Sequence, residues 1–243
     1  MRLLARLAPL ASLLALLAPF GLLGRAAAGQ GVHPITGRHI APVMGHTGAD
    51  WLDRPEREDE EAPSKAIALL QLRPGDVVAD VGAGSGYMTI RLARAVGPAG
   101  RVLAVDIQPE MIERLTERLH AEMLTNVTAI LGAADDPKLP PASVDLELMV
   151  DVYHELAAPQ RMLQHLRSAL KPGGRLVLLE YRKEDPSIPI REEHKMSVAD
   201  AKAEIEPEGF TLIEVKEDLP RQHILIFRGD SPPHLPGTVP RDP

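Results

Sequence analysis

The sequence of 243 residues contains no cysteine. Disulfide bonds, thiolate zinc sites, iron–sulfur clusters and a catalytic thiol are therefore excluded. Aromatic residues make up only 3% of the chain, which leaves no broad stacking platform for nucleic-acid bases. The formal net charge is -7, whereas a protein that binds a phosphate backbone needs a basic surface. Nucleic acid is therefore not an expected partner.

The first 28 residues have the layout of an export signal. Arg2 and Arg6 supply positive charge, residues 7–23 are rich in Leu and Ala, and Ala28 belongs to a run of small residues. Prolines and glycines interrupt the apolar run, so it makes a poor membrane span. We expect cleavage near Ala28 and a periplasmic protein. The alternatives are an uncleaved signal, which would be the only membrane contact, and a misassigned start codon.

The rest of the chain divides into three parts by composition. Residues 29–63 lack a periodic pattern and are predicted to form an irregular N-terminal arm or lid. Within this arm, Trp51 either closes over a ligand or anchors the arm to the core, and the acidic run 56–61 is predicted to be solvated. Residues 64–230 form the predicted folded domain, and the Pro-rich tail 231–243 is predicted to be disordered.

Strand and helix patterns alternate through the folded domain. Apolar, β-branched runs predict strands, and segments with helical spacing separate them. The predicted strands are 77–81, 101–105, 126–131, 143–150 and 175–180, the main helices are 87–96, 109–123 and 159–170, and 210–215 and 223–227 form a terminal hairpin. This alternation predicts an α/β fold with a doubly wound, mostly parallel seven-stranded sheet and a C-terminal antiparallel hairpin. Ligands of such folds bind beyond the carboxyl ends of the strands.

A glycine-rich loop follows the first predicted strand. Glycines at positions 82, 84 and 86 let the backbone turn sharply and lie against a ligand. The third glycine comes one residue earlier than in the dinucleotide loop G-x-G-x-x-G. Asp80 precedes the loop, and an acid there would repel a diphosphate but suits an amino-acid ammonium.

Two further acids end the next two strands. Asp106 can accept hydrogen bonds from both hydroxyls of a ribose; the alternative is a helix N-cap. Asp135 can accept the exocyclic amine of an adenine; the alternative is a turn acid before Pro137. Acids at three successive strand ends fit a cationic adenosyl ligand better than NAD.

Several segments resemble the class I S-adenosylmethionine-dependent methyltransferases, namely DVGAGSG (80–86), VLAVDI (102–107), GAADDPKLPPASVDL (132–146), DVYHEL (151–156) and LKPGGRLVLLEYR (170–182). The resemblance covers about residues 74–228, and extends to a bacterial group of exported methyltransferase-domain proteins. It implies S-adenosylmethionine as cofactor, with its methionine part on the glycine loop, its ribose on Asp106 and its adenine amine on Asp135. The cofactor-binding candidates are Asp80, Gly82, Ala83, Gly84, Gly86, Asp106, Ile107, Asp135 and Asp151.

Candidates for catalysis lie beyond the fourth strand. Methyl transfer requires alignment of the acceptor and, for some acceptors, removal of a proton. His154 is the candidate general base because its ordinary pKa is near neutrality; the alternative is a structural histidine. Asp151 would orient His154 or touch the ligand, and Tyr153 would line the acceptor pocket or simply pack.

No metal is expected, because the set Asp151, His154, Glu180 and His194 matches no standard ligand spacing. The predicted acceptor is a small molecule that is methylated on oxygen, carbon or nitrogen. Arsenite is excluded because its methylation uses cysteine thiolates. The sequence leaves two alternatives open: a catalytically inactive module that binds an adenosyl ligand, and an NAD-dependent oxidoreductase, which the glycine spacing disfavours. It gives no indication of the oligomeric state.

Overall fold

The computed structural model describes residues 31–229. The predicted signal, residues 1–28, and the predicted Pro-rich tail, residues 231–243, lie outside the described residues. Between residues 31 and 229, none of the helices has the length and apolar character needed to cross a membrane.

A single mixed sheet forms the centre of the fold. Its strands are β1 Val77–Val81, β2 Arg101–Asp106, β3 Val127–Leu131, β4 Val144–Val150, β5 Leu170–Arg182, β6 Lys195–Met196, β7 Phe210–Lys216 and β8 Gln222–Gly229. Seven strands follow the order β3-β2-β1-β4-β5-β8-β7, and β8 is antiparallel to both β5 and β7. The predicted seven-stranded, mostly parallel sheet with its antiparallel hairpin is confirmed. The two-residue strand β6, which pairs with the end of β5, is an addition that the sequence pattern did not predict.

Helices cover both faces of the sheet. They are α1 Ala49–Leu52, α2 Arg57–Glu61, α3 Pro63–Leu69, α4 Tyr87–Val96, α5 Pro109–Ala121, α6 Pro159–Ala169 and α7 Val198–Ile205. Apolar residues of α3 and α4 pack on one face, where α5 joins them, and those of α6 and α7 pack on the other. Helices α3, α5 and α6 each begin with proline, whose fixed φ and missing N–H suit the first helical turn.

Strand β5 runs through a segment that the sequence predicts as a turn. The pairing of β4 with β5 jumps from Val144 opposite Leu170 to Leu146 opposite Arg175, so residues 171–174 bulge out. Gly173 has a φ of 83° there, a conformation that glycine adopts without a steric cost. The turn residues are thus accommodated as a bulge at the start of a longer strand.

The arm crosses the carboxyl ends of the strands and contains two short helices, α1 and α2, within the region predicted as irregular. Its first part is fastened to α7. The fully buried carboxylate of Glu204 accepts hydrogen bonds from Thr36 and from two nitrogens of Arg38, Nε at 3.1 Å and an Nη at 2.9 Å. The N–H of Ala41 donates to the carbonyl oxygen of His154 at 3.0 Å. The arm is therefore attached directly to the backbone of the segment that follows β4.

Candidate active site

A cavity of about 530 Å³ opens at the carboxyl ends of β1, β2 and β4, and the arm closes one side of it. This is the position expected for a ligand in a doubly wound sheet, where the strand order reverses between β1 and β4. Of the candidates singled out in the sequence, the cavity is lined by Gly82, Gly84, Asp106, Ile107, Asp151 and His154. The structure does not bring Asp80, Ala83, Gly86, Asp135 or Tyr153 to the cavity wall.

The glycine loop lies against the cavity, which is lined by Gly82 and Gly84. Gly82 has a φ of 82°, and a Cβ there would lie 2.4 Å from a methyl carbon of Val152. The N–H groups of Gly82 and Ala83 both donate to the carbonyl oxygen of Val105, at 2.8 and 2.9 Å. Ala83 therefore fixes the turn rather than facing the cavity. Gly86, which directly precedes α4, leaves room for Leu115 in the same way.

Asp106 connects the loop to the next strand end. One of its carboxylate oxygens accepts the N–H of Gly84 and the other accepts the N–H of Gln108, both at 2.9 Å. Burial raises the pKa of Asp106, and these hydrogen bonds oppose the rise. Each carboxylate oxygen can accept a further bond, so the group can also accept ribose hydroxyls. The N-cap of α5 is Gln108, so the alternative that Asp106 caps this helix is wrong.

Asp80 lies behind the loop. The hydroxyl of Thr89 donates to its carboxylate at 2.6 Å. Burial raises the pKa of Asp80 to about 6, with a smaller contribution from the charge of Asp106. Its action on a bound cation would therefore be electrostatic and across the loop, not by direct contact.

Asp135 faces away from the cavity. Its carboxylate pairs with an Nη of Arg161 at 3.1 Å, and Ala133 and Ala134 line the cavity at this strand end instead. The role in adenine binding stays a prediction that this geometry does not support.

Asp151 directly follows β4 in a conformation that is uncommon for a non-glycine residue, with a φ of 55°. One carboxylate oxygen accepts the side-chain amide of Gln222 at 2.7 Å. The other oxygen is buried and has no hydrogen-bond partner among the described residues. Burial, and then the charges of Glu61 and Glu180, raise the pKa of Asp151 well above its usual value. The unpaired oxygen leaves Asp151 able to accept a hydrogen bond from a ligand.

His154 is held between two side chains. Its Nδ1 lies 2.6 Å from a carboxylate oxygen of Glu180, and its Nε2 lies 3.1 Å from Nδ1 of His194. Burial lowers the pKa of His154, but the nearby carboxylates, chiefly Glu180, outweigh it and raise the pKa above its usual value. Action as a general base would require Nε2 to leave His194, and this role stays a prediction.

Tyr153 packs in the core. Its ring is fully buried in the apolar cluster that contains Leu156 and Met162, while its N–H donates to the second oxygen of Glu180 at 2.9 Å. The predicted contact with an acceptor is therefore not supported by the position of the ring. The residue instead helps to hold Glu180 against His154.

Two polar contacts between arm and domain were not found from the sequence. The side chain of Gln108 donates to the carbonyl oxygen of Met44 at 3.0 Å and accepts the N–H of His46 at 2.9 Å. Tyr181, which lines the cavity, donates its hydroxyl to Glu61 at 2.6 Å. Glu61 is only 2% exposed, so the prediction of a solvated acidic run is wrong for this residue.

Buried cations explain the position of Glu61. Its carboxylate pairs with Arg54 and accepts the Nε of Arg57 at 2.7 Å. The guanidinium carbon of Arg54 lies 3.8 Å from the ring centre of Trp51, which lines the cavity and is 44% exposed. The arm thus brings Trp51 to the wall of the cavity, and its closure over a ligand stays a prediction.

A family model described as a methyltransferase domain matches residues 72–219 of the chain. Among curated proteins, a protein-L-isoaspartate O-methyltransferase from Ignicoccus hospitalis is 37% identical over 112 residues, or 46% of this chain and 50% of its own length. A ubiquinone/menaquinone biosynthesis C-methyltransferase from Hydrogenovibrio crunogenus is 34% identical over 119 residues, covering 49% and 47%. The chain therefore spans about half the length of these curated relatives.

A solved structure gives a more complete match. A SAM-dependent methyltransferase from Aquifex aeolicus superposes with a TM-score of 0.72 at 27% identity, covering 76% of this chain and 98% of that one. S-adenosylmethionine is the cofactor that the family match and this likeness imply. The chain belongs to the class I S-adenosylmethionine-dependent methyltransferases.

Proposed function

We propose that this enzyme transfers the methyl group of S-adenosylmethionine to a small molecule bound in the same cavity. The observation that carries the proposal is the cavity, whose volume of about 530 Å³ falls in the range of small-molecule sites, about 300–1,000 Å³. On one side the arm lines it with Val43, Met44 and Trp51, which narrows the access to it.

The lining beyond the glycine loop supports an acceptor that is mostly apolar with one polar end. The apolar part of the wall consists of Val43, Met44, Val150, Val152, Leu156, Met162, Pro189 and Ile190. The polar groups His154, Glu155 and His194 lie together in the same wall. One curated relative acts in quinone biosynthesis, and a phenol or enol acceptor matches this division between apolar and polar lining.

The test is transfer of label from S-adenosylmethionine carrying a radioactive methyl group. The purified protein is incubated with a cell extract separated by size into small molecules and macromolecules. We expect label in the small-molecule fraction, and none with Asp106→Ala, which removes the carboxylate at the ribose position. Label confined to the macromolecules would contradict the proposal. Tight cofactor binding without any transfer would favour an inactive binding module.

We also propose export of the chain, supported by the charge and hydrophobicity of residues 1–28. A reporter enzyme active only outside the cytosol is fused after Ala28 for the test. Reporter activity is expected, and it should disappear when Arg2, Arg6 and the apolar run are deleted. A reporter that stays in the cytosol would overturn the proposal.

A further inference from the structure

Three potential metal ligands from two short turns converge on the cavity. Nε2 of His154 lies 3.1 Å from Nδ1 of His194 and 4.0 Å from a carboxylate oxygen of Glu155. The same oxygen lies 3.9 Å from Nδ1 of His194. Ligand atoms about 2.1 Å from one ion, at angles of about 90–110°, are about 3.0–3.4 Å apart. The distance between the two nitrogens meets this requirement. The other two exceed it by about half an ångström, which a small rotation of the Glu155 side chain closes.

The environment of His154 prepares it for this role. Glu180 is fully buried, and its carboxylate faces Nδ1 of His154 at 2.6 Å. Because a carboxylate only accepts, the proton of the neutral ring resides on Nδ1 and the lone pair of Nε2 points to His194. A carboxylate behind a histidine is the usual support of a metal-binding imidazole.

We infer that His154, Glu155 and His194 bind a divalent transition-metal ion in the wall of the methyl-transfer cavity. Two imidazole nitrogens and one carboxylate oxygen favour ions such as Zn²⁺, Fe²⁺ or Co²⁺ over Mg²⁺ and Ca²⁺, which prefer oxygen ligands. All three side chains line the cavity, so the remaining coordination positions face the space where an acceptor binds.

The position of the ion assigns the acceptor chemistry, and this step rests on the proposed function. An acceptor hydroxyl, such as that of a phenol or enol, that coordinates the ion has a lowered pKa and loses its proton to solvent. Its lone pair then attacks the sulfonium methyl carbon. The new bond to the methyl forms as the carbon–sulfur bond breaks, and the sulfur keeps that electron pair as a thioether. This assignment replaces the general-base role of His154, because Nε2 binds the ion.

Binding of the ion also moves a proton on His194. Without an ion, Nδ1 of His194 donates to Nε2 of His154, and Nε2 of His194 lies 3.5 Å from an Nη of Arg191. As a ligand, Nδ1 must be unprotonated, so the proton resides on Nε2 and Arg191 moves away. The side chain of Arg191 is 73% exposed, which makes this movement easy.

The experiment uses the full-length chain, freed of metal with a chelator and titrated with Co²⁺ and with Zn²⁺. Visible absorption follows Co²⁺, and calorimetry follows Zn²⁺. We expect the native protein to bind a single equivalent, and His194→Ala and Glu155→Gln to bind at least about tenfold more weakly. Glu180→Gln, which removes the negative charge behind Nδ1 of His154 and leaves the three ligands in place, should weaken binding by about 10- to 100-fold. His120→Ala removes an exposed imidazole of α5 and should bind as the native protein does.

Equal affinity of the native protein and His194→Ala for both ions would overturn the inference. Affinity for S-adenosylmethionine is measured on each variant, and an unchanged value shows that the variant is folded. The labelled-methyl assay separates the two proposals. Transfer to small molecules without metal binding would refute the ion site alone, whereas a bound ion without such transfer would refute the acceptor proposal alone.

Discussion

Burial raises the pKa values of the acids around the cavity, namely Asp80, Asp106 and Asp151. Asp80 is surrounded by protein, and burial is the largest cause of its pKa of about 6. The cofactor brings a positively charged sulfonium and an ammonium group close to the loop that follows Asp80. A nearby cation favours the ionised carboxylate, so binding of the cofactor and loss of the proton from Asp80 are linked.

We therefore expect cofactor affinity to fall as the pH drops through about 6, by no more than about tenfold per pH unit for this one group. Binding near pH 6 should release part of a proton, and binding at pH 8 should release none from Asp80. Calorimetry in two buffers of different ionisation enthalpy measures the release. Asp80→Asn should abolish the part of the pH dependence that belongs to this group, and an unchanged profile would contradict the linkage.

At the residue scale, the sequence predicts correctly the positions of those site residues that local spacing determines. Gly82, Gly84 and Asp106 lie where the pattern of a strand, a glycine loop and a second strand places them. The contact of His154 with His194 joins residues 40 positions apart, and it depends on the path of the loop after β5. No local signal encodes that path. From the sequence, a metal set that includes His154 and His194 is therefore rejected, and Glu155 is not placed beside them.

Strand β4 contains an ionisable residue, Glu147, at a buried position where an apolar residue is expected. Glu147 is fully buried, and neither of its carboxylate oxygens has a hydrogen-bond partner among the described residues. By the alternation of side chains along a strand, it shares the face of Met149, which packs in the core with α6. Burial raises the pKa of Glu147 well above its usual value, so folding favours the neutral form of this carboxyl.

Glu147→Met should raise the free energy of unfolding by about 1–3 kcal/mol, because it removes an unpaired buried polar group of similar size. The unfolded chain loses this proton near its ordinary pKa and the folded chain only at higher pH, so the native protein becomes less stable as the pH rises. The gain should thus be larger at pH 8 than at pH 5. Urea unfolding at both pH values measures it.

The control for Glu147→Met is Glu147→Gln, whose side chain stays polar but cannot ionise. It should remove the pH dependence that belongs to Glu147 without the full gain in stability. A methionine variant less stable than the native protein at both pH values would show that the carboxyl contributes to the fold.

The first part of the arm is fastened to α7 by one buried carboxylate, that of Glu204. Glu204→Gln should loosen it, because Arg38, whose side chain is 6% exposed, loses its ionised partner. We expect amide hydrogens of the arm such as those of Ile40 and Ala41 to exchange about 10- to 100-fold faster, which corresponds to about 1–3 kcal/mol. Hydrogen exchange read by mass spectrometry measures this. Glu208→Gln, which changes an exposed contact with Gln164, should leave the exchange rates unchanged.

At the element scale, the alternation of strand and helix patterns in the sequence is sufficient to predict the sheet. The predicted strand 77–81 and helix 87–96 have the same bounds as β1 and α4. Helices α1 and α2 were missed because they contain four and five residues, too few to show a period. Tertiary contacts stabilise these two helices. The buried side chain of Arg57 in α2 donates hydrogen bonds to Glu61 and to the carbonyl oxygen of Leu52 at the end of α1. Contacts made by these side chains, and not the helix propensity of the residues, therefore determine the structure of the arm.

On the scale of the whole molecule, the family match begins at residue 72, so the arm lies outside it. The cavity nevertheless includes both parts, since Met44 and Trp51 line it together with Asp106. A ligand that binds both parts of the folded chain stabilises the whole of it.

S-adenosylmethionine at 100 times its dissociation constant should stabilise the protein by about 2.7 kcal/mol. For a chain of this size, that corresponds to a rise in melting temperature of about 5–11 °C. Differential scanning fluorimetry measures the shift. NAD at the same concentration should produce none, and Asp106→Ala should reduce the shift caused by S-adenosylmethionine. A shift of equal size with NAD would contradict the cofactor assignment.

The attachment of the arm to both α7 and the backbone of His154 bears on the order of events in turnover. We expect the spent thioether to leave past the arm, because Met44 and Trp51 line the cavity. Each catalytic cycle would then include one opening and one closing of contacts made by the arm. Product release would depend on how firmly these contacts hold, separately from the methyl-transfer step.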